Sequence, residues 1–84
     1  MNFKREVVSM LNDVLHLEGR ASTFEDDTIL LGGVPELDSM AVIAIISAIE
    51  ERFGCTVEDD EIDGAVFATL GSLIAFVQEK ADAK

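Results

Sequence analysis

Near the start of the chain, apolar side chains recur at spacings of three and four, at Phe3, Val7, Leu11, Val14 and Leu15. One face of a helix has that period, so the spacing predicts a helix from about Asn2 to Leu17, capped by Asn2 and stopped by Gly19. The pattern then lapses. From Glu18 to Asp38 the chain carries Gly19, the run Glu25-Asp26-Asp27, Gly32-Gly33 and Pro35, the composition of a long ordered loop. Phe24, Ile29, Leu30, Leu31, Val34 and Leu37 are scattered through it and are expected to pin it to the core. Loops of this length in a compact domain are uncommon and usually functional.

The helical period returns at Val42, Ile45, Ile46, Ile49 and Phe53. It predicts a second helix over 39–53, with Asp38 as N-cap and Gly54 as stop. Residues 55–63 form a short acidic connector with a helical turn expected near Asp59 to Val66. Leu70, Leu73, Ile74, Val77 and Ala81 then mark a last helix over about 70–81, capped by Thr69. No segment alternates with period two strongly enough to argue a strand. The expected fold is all-α: a four-helix bundle of three main helices and a short third one, with a long loop between the first and second.

The chain has 84 residues, the length of one domain, and its hydrophobic fraction of 49% is enough for a small core. Its net charge is −11, and the charge is concentrated. Residues 1–20 and 65–84 are each neutral, whereas residues 21–64 hold twelve carboxylates against Arg52. Such a field repels nucleic acid and anionic membrane, and it is suited to basic protein partners or to simple solubility. The longest apolar run, Met40 to Ile46, is far too short to span a bilayer. A single cysteine, Cys55, excludes an internal disulfide and suits a reducing, cytoplasmic setting, where it reads as a small buried hydrophobe.

The most informative stretch is Pro35-Glu36-Leu37-Asp38-Ser39-Met40. It sets a serine directly after a capping aspartate, at the end of the long loop and the start of an apolar helix. A phosphodiester on Ser39 would meet free backbone N–H groups and the positive end of the helix dipole. Taken by its spacing alone, Asp38-Ser39 reads first as an ordinary helix cap.

Leu37-Asp38-Ser39-Met40 resembles the Asp-Ser-Leu motif of acyl carrier proteins, with methionine in place of leucine. Glu50-Glu51-Arg52-Phe53-Gly54 resembles that family's Glu-Glu-x-Phe helix ending. Val57 to Ile62 resembles its acidic turn, and Thr69 to Val77 its last helix. The resemblance implies a carrier that is not an enzyme. A phosphopantetheinyl transferase would move a 4'-phosphopantetheine arm from coenzyme A onto Ser39, and acyl groups would ride on its thiol as thioesters. Asp38 would cap the helix and assist the magnesium-dependent transferase. Met40 would lie beside the arm, or else pack in the core. The expected setting is fatty acid, lipid or specialised acyl metabolism, and the expected state a monomer.

The first turns of the second helix depart from the acidic pattern usual in carriers of bacterial fatty acid synthesis. Met40, Ile43, Ala44 and Ser47 form a nearly uncharged stripe. With Glu36, Glu50 and Glu51, the residues Ile43, Ala44 and Ser47 are the expected docking surface for acyl-transferring or synthase enzymes with basic or apolar faces. The same fold serves peptidyl and D-alanyl carriers. The rival from another class is an unmodified acidic adaptor that holds a partner helix on the stripe. Asp59, Glu61, Asp63 and Gly64 resemble half an EF-hand loop, but its twelfth position would be Leu70, so no metal site is expected there beyond weak cation binding by residues 58–63.

Overall fold

The computed structural model describes residues 3–83. Three α-helices pack around one apolar core: α1 (Phe3–Leu15), α2 (Ser39–Phe53) and α3 (Leu70–Ala83). Two 3-10 turns, Arg20–Thr23 and Asp59–Glu61, interrupt the connections. The expected short third helix is reduced to the second of these turns. Glu58 to Asp63 holds five carboxylates in six residues, and mutual repulsion favours no longer helix there.

The first helix ends at Leu15, two residues earlier than its apolar pattern suggests. His16 takes a left-handed backbone with φ of 56°, and the Leu17 amide donates back to the Asn12 carbonyl at 3.1 Å. That six-to-one closure is a Schellman ending built without glycine, and Leu17 completes it by burying its side chain. Gly19, expected as the stop, instead precedes the Arg20–Thr23 turn with φ of 94°. The proposed Asn2 cap lies outside the described residues.

The core draws Val7, Met10 and Leu11 from α1, Ile45, Ile49 and Phe53 from α2, and Leu70, Leu73 and Val77 from α3. Phe67, just before α3, is buried with them. Among the described residues, no polar or charged side chain is buried.

The long loop is held by backbone bonds as well as by apolar anchors. Leu30 and Leu31 donate to the Ala68 and Phe67 carbonyls at 3.0 Å each, beside an isolated antiparallel bridge between Ile29 and Thr69. This short pairing imposes a pleat, in which successive side chains point to opposite faces. Leu30 is therefore buried, while Ile29 and Leu31 remain 55% and 44% exposed and do not anchor the loop as expected. The loop also finishes α3: the Leu70 and Gly71 amides donate to Thr28 and Asp26 carbonyls at 3.0 and 2.7 Å. Two of the helix's orphan donors are satisfied this way. Thr69 and Ser72 add a reciprocal cap, each hydroxyl accepting from the other's amide at 3.1 Å.

Candidate functional site

Ser39 is the first residue of α2 and is exposed. Its position follows from the residues on either side. Asp38 has an extended backbone, and its Oδ1 accepts from the Ala41 amide at 2.9 Å. Gly54 ends the helix in the left-handed region at φ 65°, so the two ends fall where the sequence places them. The cap takes the Ala41 amide and leaves those of Ser39 and Met40 without an intrahelical acceptor. The dipole end of a fifteen-residue helix thus lies beside the hydroxyl, an environment that favours an attached phosphate.

The loop reaches Ser39 through a turn that is itself fastened. The Val34 amide donates to Leu30 at 2.9 Å, the Leu37 amide donates to Val34 at 3.0 Å, and both of these apolar side chains are buried. Glu36 is ion-paired with Arg20 across the loop. Its own backbone N–H and the Arg20 guanidinium hold its carboxyl below the usual carboxylate range.

Beside Ser39 opens a cleft of about 330 Å³, lined by Ser39, Leu31, Val42, Ile62, Asp63, Gly64 and Phe67. Its walls are α2, the loop, and the connector before α3. Most of the lining is apolar, and a flexible chain leaving the Ser39 hydroxyl has this surface directly beside it. Of the cleft residues, sequence reasoning singled out Ser39 as the site, placed Val42 on the core face, read Leu31 as a loop anchor and Asp63 and Gly64 as half an EF-hand loop, and brought none of them together. Those outside α2 come from two further segments, the long loop and the connector. Only the loop's pairing with residues 67–69 gathers them, and no local spacing signals it.

The remaining candidates fall into two groups. Met40 and Ile43 stand 73% and 60% exposed, with Ala44 and Ser47 also exposed on α2, so the uncharged stripe faces outward. Glu51 is exposed beyond it. Glu36 and Glu50 are engaged within the chain: Glu50 Oε2 accepts from the Val57 amide at 2.9 Å. Cys55 is half-buried, with its sulfur 3.8 Å from the Ile49 carbonyl. Among the described residues, no group of three or more His, Cys, Asp or Glu side chains is placed to hold a metal ion. No helix among them is long and apolar enough to cross a membrane.

Comparison with known families matches residues 5–77 to the phosphopantetheine attachment site family. The chain belongs to the acyl carrier protein family. It is also similar to a solved structure, the holo acyl carrier protein of Nitrosomonas europaea determined by solution NMR. The two are 48% identical, with a TM-score of 0.88 over 98% of this chain and 99% of that one. Comparison with curated proteins found no match. Acyl carrier proteins are carriers rather than enzymes, and a covalent 4'-phosphopantetheine is their prosthetic group. A carrier of this kind deals with a phosphopantetheinyl transferase and with acyl-handling enzymes. The exposed hydroxyl, the capped helix end and the adjoining apolar cleft fit that group.

Proposed function

We propose that this acyl carrier protein bears its 4'-phosphopantetheine on Ser39 and carries acyl groups of fatty acid, lipid or specialised acyl metabolism in the cytoplasm. The observation that carries the assignment is the Ser39 hydroxyl itself, exposed at the capped N-terminus of α2 and opening on the 330 Å³ cleft. When bound, the group supplies a terminal thiol on which an acyl chain is held as a thioester. Asp38 fixes the helix end that receives the phosphate. Leu31, Val42, Ile62 and Phe67 offer the attached chain an apolar surface, which favours its lying along the cleft rather than in water.

Enzymes that act on the cargo must approach the same end of α2. The ten residues from Ser39 to Ala48 carry no ionisable side chain, and Met40 and Ile43 project from them. An apolar contact centred on Ile43, Ala44 and Ser47 suits this face, with cationic groups of the partner at Glu51 and at the acidic connector. Glu36 and Glu50 serve the carrier's own fold first.

The test is intact mass after incubation with coenzyme A, magnesium and a broad-specificity phosphopantetheinyl transferase. The wild-type chain gains one phosphopantetheine and the Ser39→Ala variant gains none. A folded Ser39→Ala variant that is still modified overturns the assignment.

A further inference from the structure

The connector between α2 and α3 forms one wall of the cleft through Ile62, Asp63 and Gly64. Beyond it the Phe67 and Ala68 carbonyls are fastened to the long loop, but over residues 57–66 its backbone bonds are local: Glu61 donates to Glu58 at 3.0 Å and Val66 to Asp63 at 3.2 Å. Side chains tie it to the helices. At its entry the Val57 amide is held by Glu50 of α2 at 2.9 Å. At its exit the Ser72 hydroxyl of α3 donates to the Val66 carbonyl at 2.9 Å. In the middle, Lys80 of α3 donates to both carboxylate oxygens of Glu61 at 2.8 Å each. Glu61 Oε2 also accepts from the Glu58 amide at 2.8 Å, so the same carboxylate folds the turn and fastens it.

This ion pair differs from the others. The side chains of Lys4–Asp26, Arg20–Glu36 and Arg52–Asp13 are each exposed by a third or more. Those of Lys80 and Glu61 are 18% and 33% exposed, the most sheltered pair among the described residues. Water and salt screen it least. It also adjoins Ile62, the half-buried residue that begins the cleft wall.

We infer that the Lys80–Glu61 pair is a latch that holds the connector wall on α3 and so controls how freely the cleft beside Ser39 opens. Lys80 is then a positioning residue: it meets no cargo, and it acts through Glu61 on the wall that does. With the latch closed, a chain in the cleft leaves slowly. With it broken, the wall swings on its two end ties and the chain is released to partners, or to water, more readily. The effect on cargo rests on the proposed lodging of the chain in the cleft, whereas the effect on the wall does not.

Two measurements separate these. Amide hydrogen exchange on the unloaded protein reads the wall alone. Lys80→Met and Glu61→Gln should speed exchange at Glu58, Glu61 and Val66 by about two- to fivefold, the scale of one partly sheltered ion pair. Leu11 in α1 should keep its rate. Lys80→Arg, which keeps the cation and leaves the Glu61 carboxylate in place, should restore the slow rates. Unchanged exchange in both single variants overturns the latch, and so does an equal acceleration at Leu11, which would mark mere global destabilisation.

Methyl NMR on the octanoyl-loaded holo protein then reads the cargo. In the wild type, loading should shift the Val42 and Ile62 methyls, and Lys80→Met should shrink those shifts while Lys80→Arg preserves them. No shift in the wild type defeats the lodging of the chain and leaves the exchange result standing. Full shifts in Lys80→Met overturn the latch's control of cargo.

Discussion

The Asp38 carboxylate accepts the Ala41 amide at 2.9 Å, one residue on either side of Ser39 and Met40. That bond fixes where α2 begins, and with it where the Ser39 hydroxyl stands. Replacing an N-cap aspartate by alanine costs about 1 kcal/mol. Asp38→Ala should therefore lower the melting temperature by a few degrees, while Asp38→Asn or Asp38→Ser should recover most of the loss. Denaturation by urea measures the difference. A variant series with no such order would show that the cap does not position the helix.

The Lys80–Glu61 pair gives the stability of the fold a pH signature. Lys80 first, and then the Glu58 amide, hold the Glu61 carboxyl below its usual value of 4.5. Its contribution is present above that value and is lost as pH falls through the lowered folded-state one. Glu61 in turn raises Lys80 above its usual 10.5, so that contribution is present below 10.5 and is lost as pH rises through the raised value. The gap in melting temperature between wild type and Lys80→Met should therefore be widest from about pH 5 to about pH 10 and should close at both extremes. A gap of the same size at pH 3 and pH 7 would contradict this.

The turn that leads toward Ser39 depends on Gly33. A Cβ there would collide with the Ile29 carbonyl oxygen, a backbone atom that has no rotamer to escape into. Gly33→Ala should destabilise by ~2 kcal/mol or more, as overpacking against a fixed group does. Gly71→Ala brings its Cβ to 2.9 Å from the Asp26 carbonyl and also gains helix propensity, so its net cost should be smaller. Chemical denaturation of the two variants ranks them, and the reverse order would sink the explanation.

Charge crowding should be visible in salt. Of the twelve carboxylates in residues 21–64, Asp26, Glu36 and Glu61 are ion-paired, with Lys4, Arg20 and Lys80. Salt weakens these pairs, but it also screens the larger number of repelling groups around them. The melting temperature should rise from low salt to about 1 M sodium chloride, where the screening length falls to roughly 3 Å. A fall would mean that the ion pairs outweigh the repulsion.

How legible the fold was depended on where each signal lay. The second helix was readable to its ends because Asp38 and Gly54 are local signals and the residues between them keep one period. The end of the first helix was not, because His16 adopts a left-handed backbone that no residue type announces. Ile29, Leu30 and Leu31 looked alike in sequence. Only their pairing with residues 67–69 decides that Leu30 turns inward while the other two face out. The site divides in the same way. Ser39 and Asp38 were readable as neighbours in one motif, and the outward stripe of Met40, Ile43, Ala44 and Ser47 followed from helical spacing. The cleft and the Lys80–Glu61 pair were not legible, because they join residues about twenty or more positions apart.

The central claim is that Ser39 bears the arm, and peptide fragmentation of the modified protein tests it most directly. The protein is produced together with a phosphopantetheinyl transferase and its modified residue is located by mass. The phosphopantetheine should map to Ser39 alone. Its appearance on another hydroxyl, such as Ser47 or Ser72, with Ser39 unmodified would contradict the account.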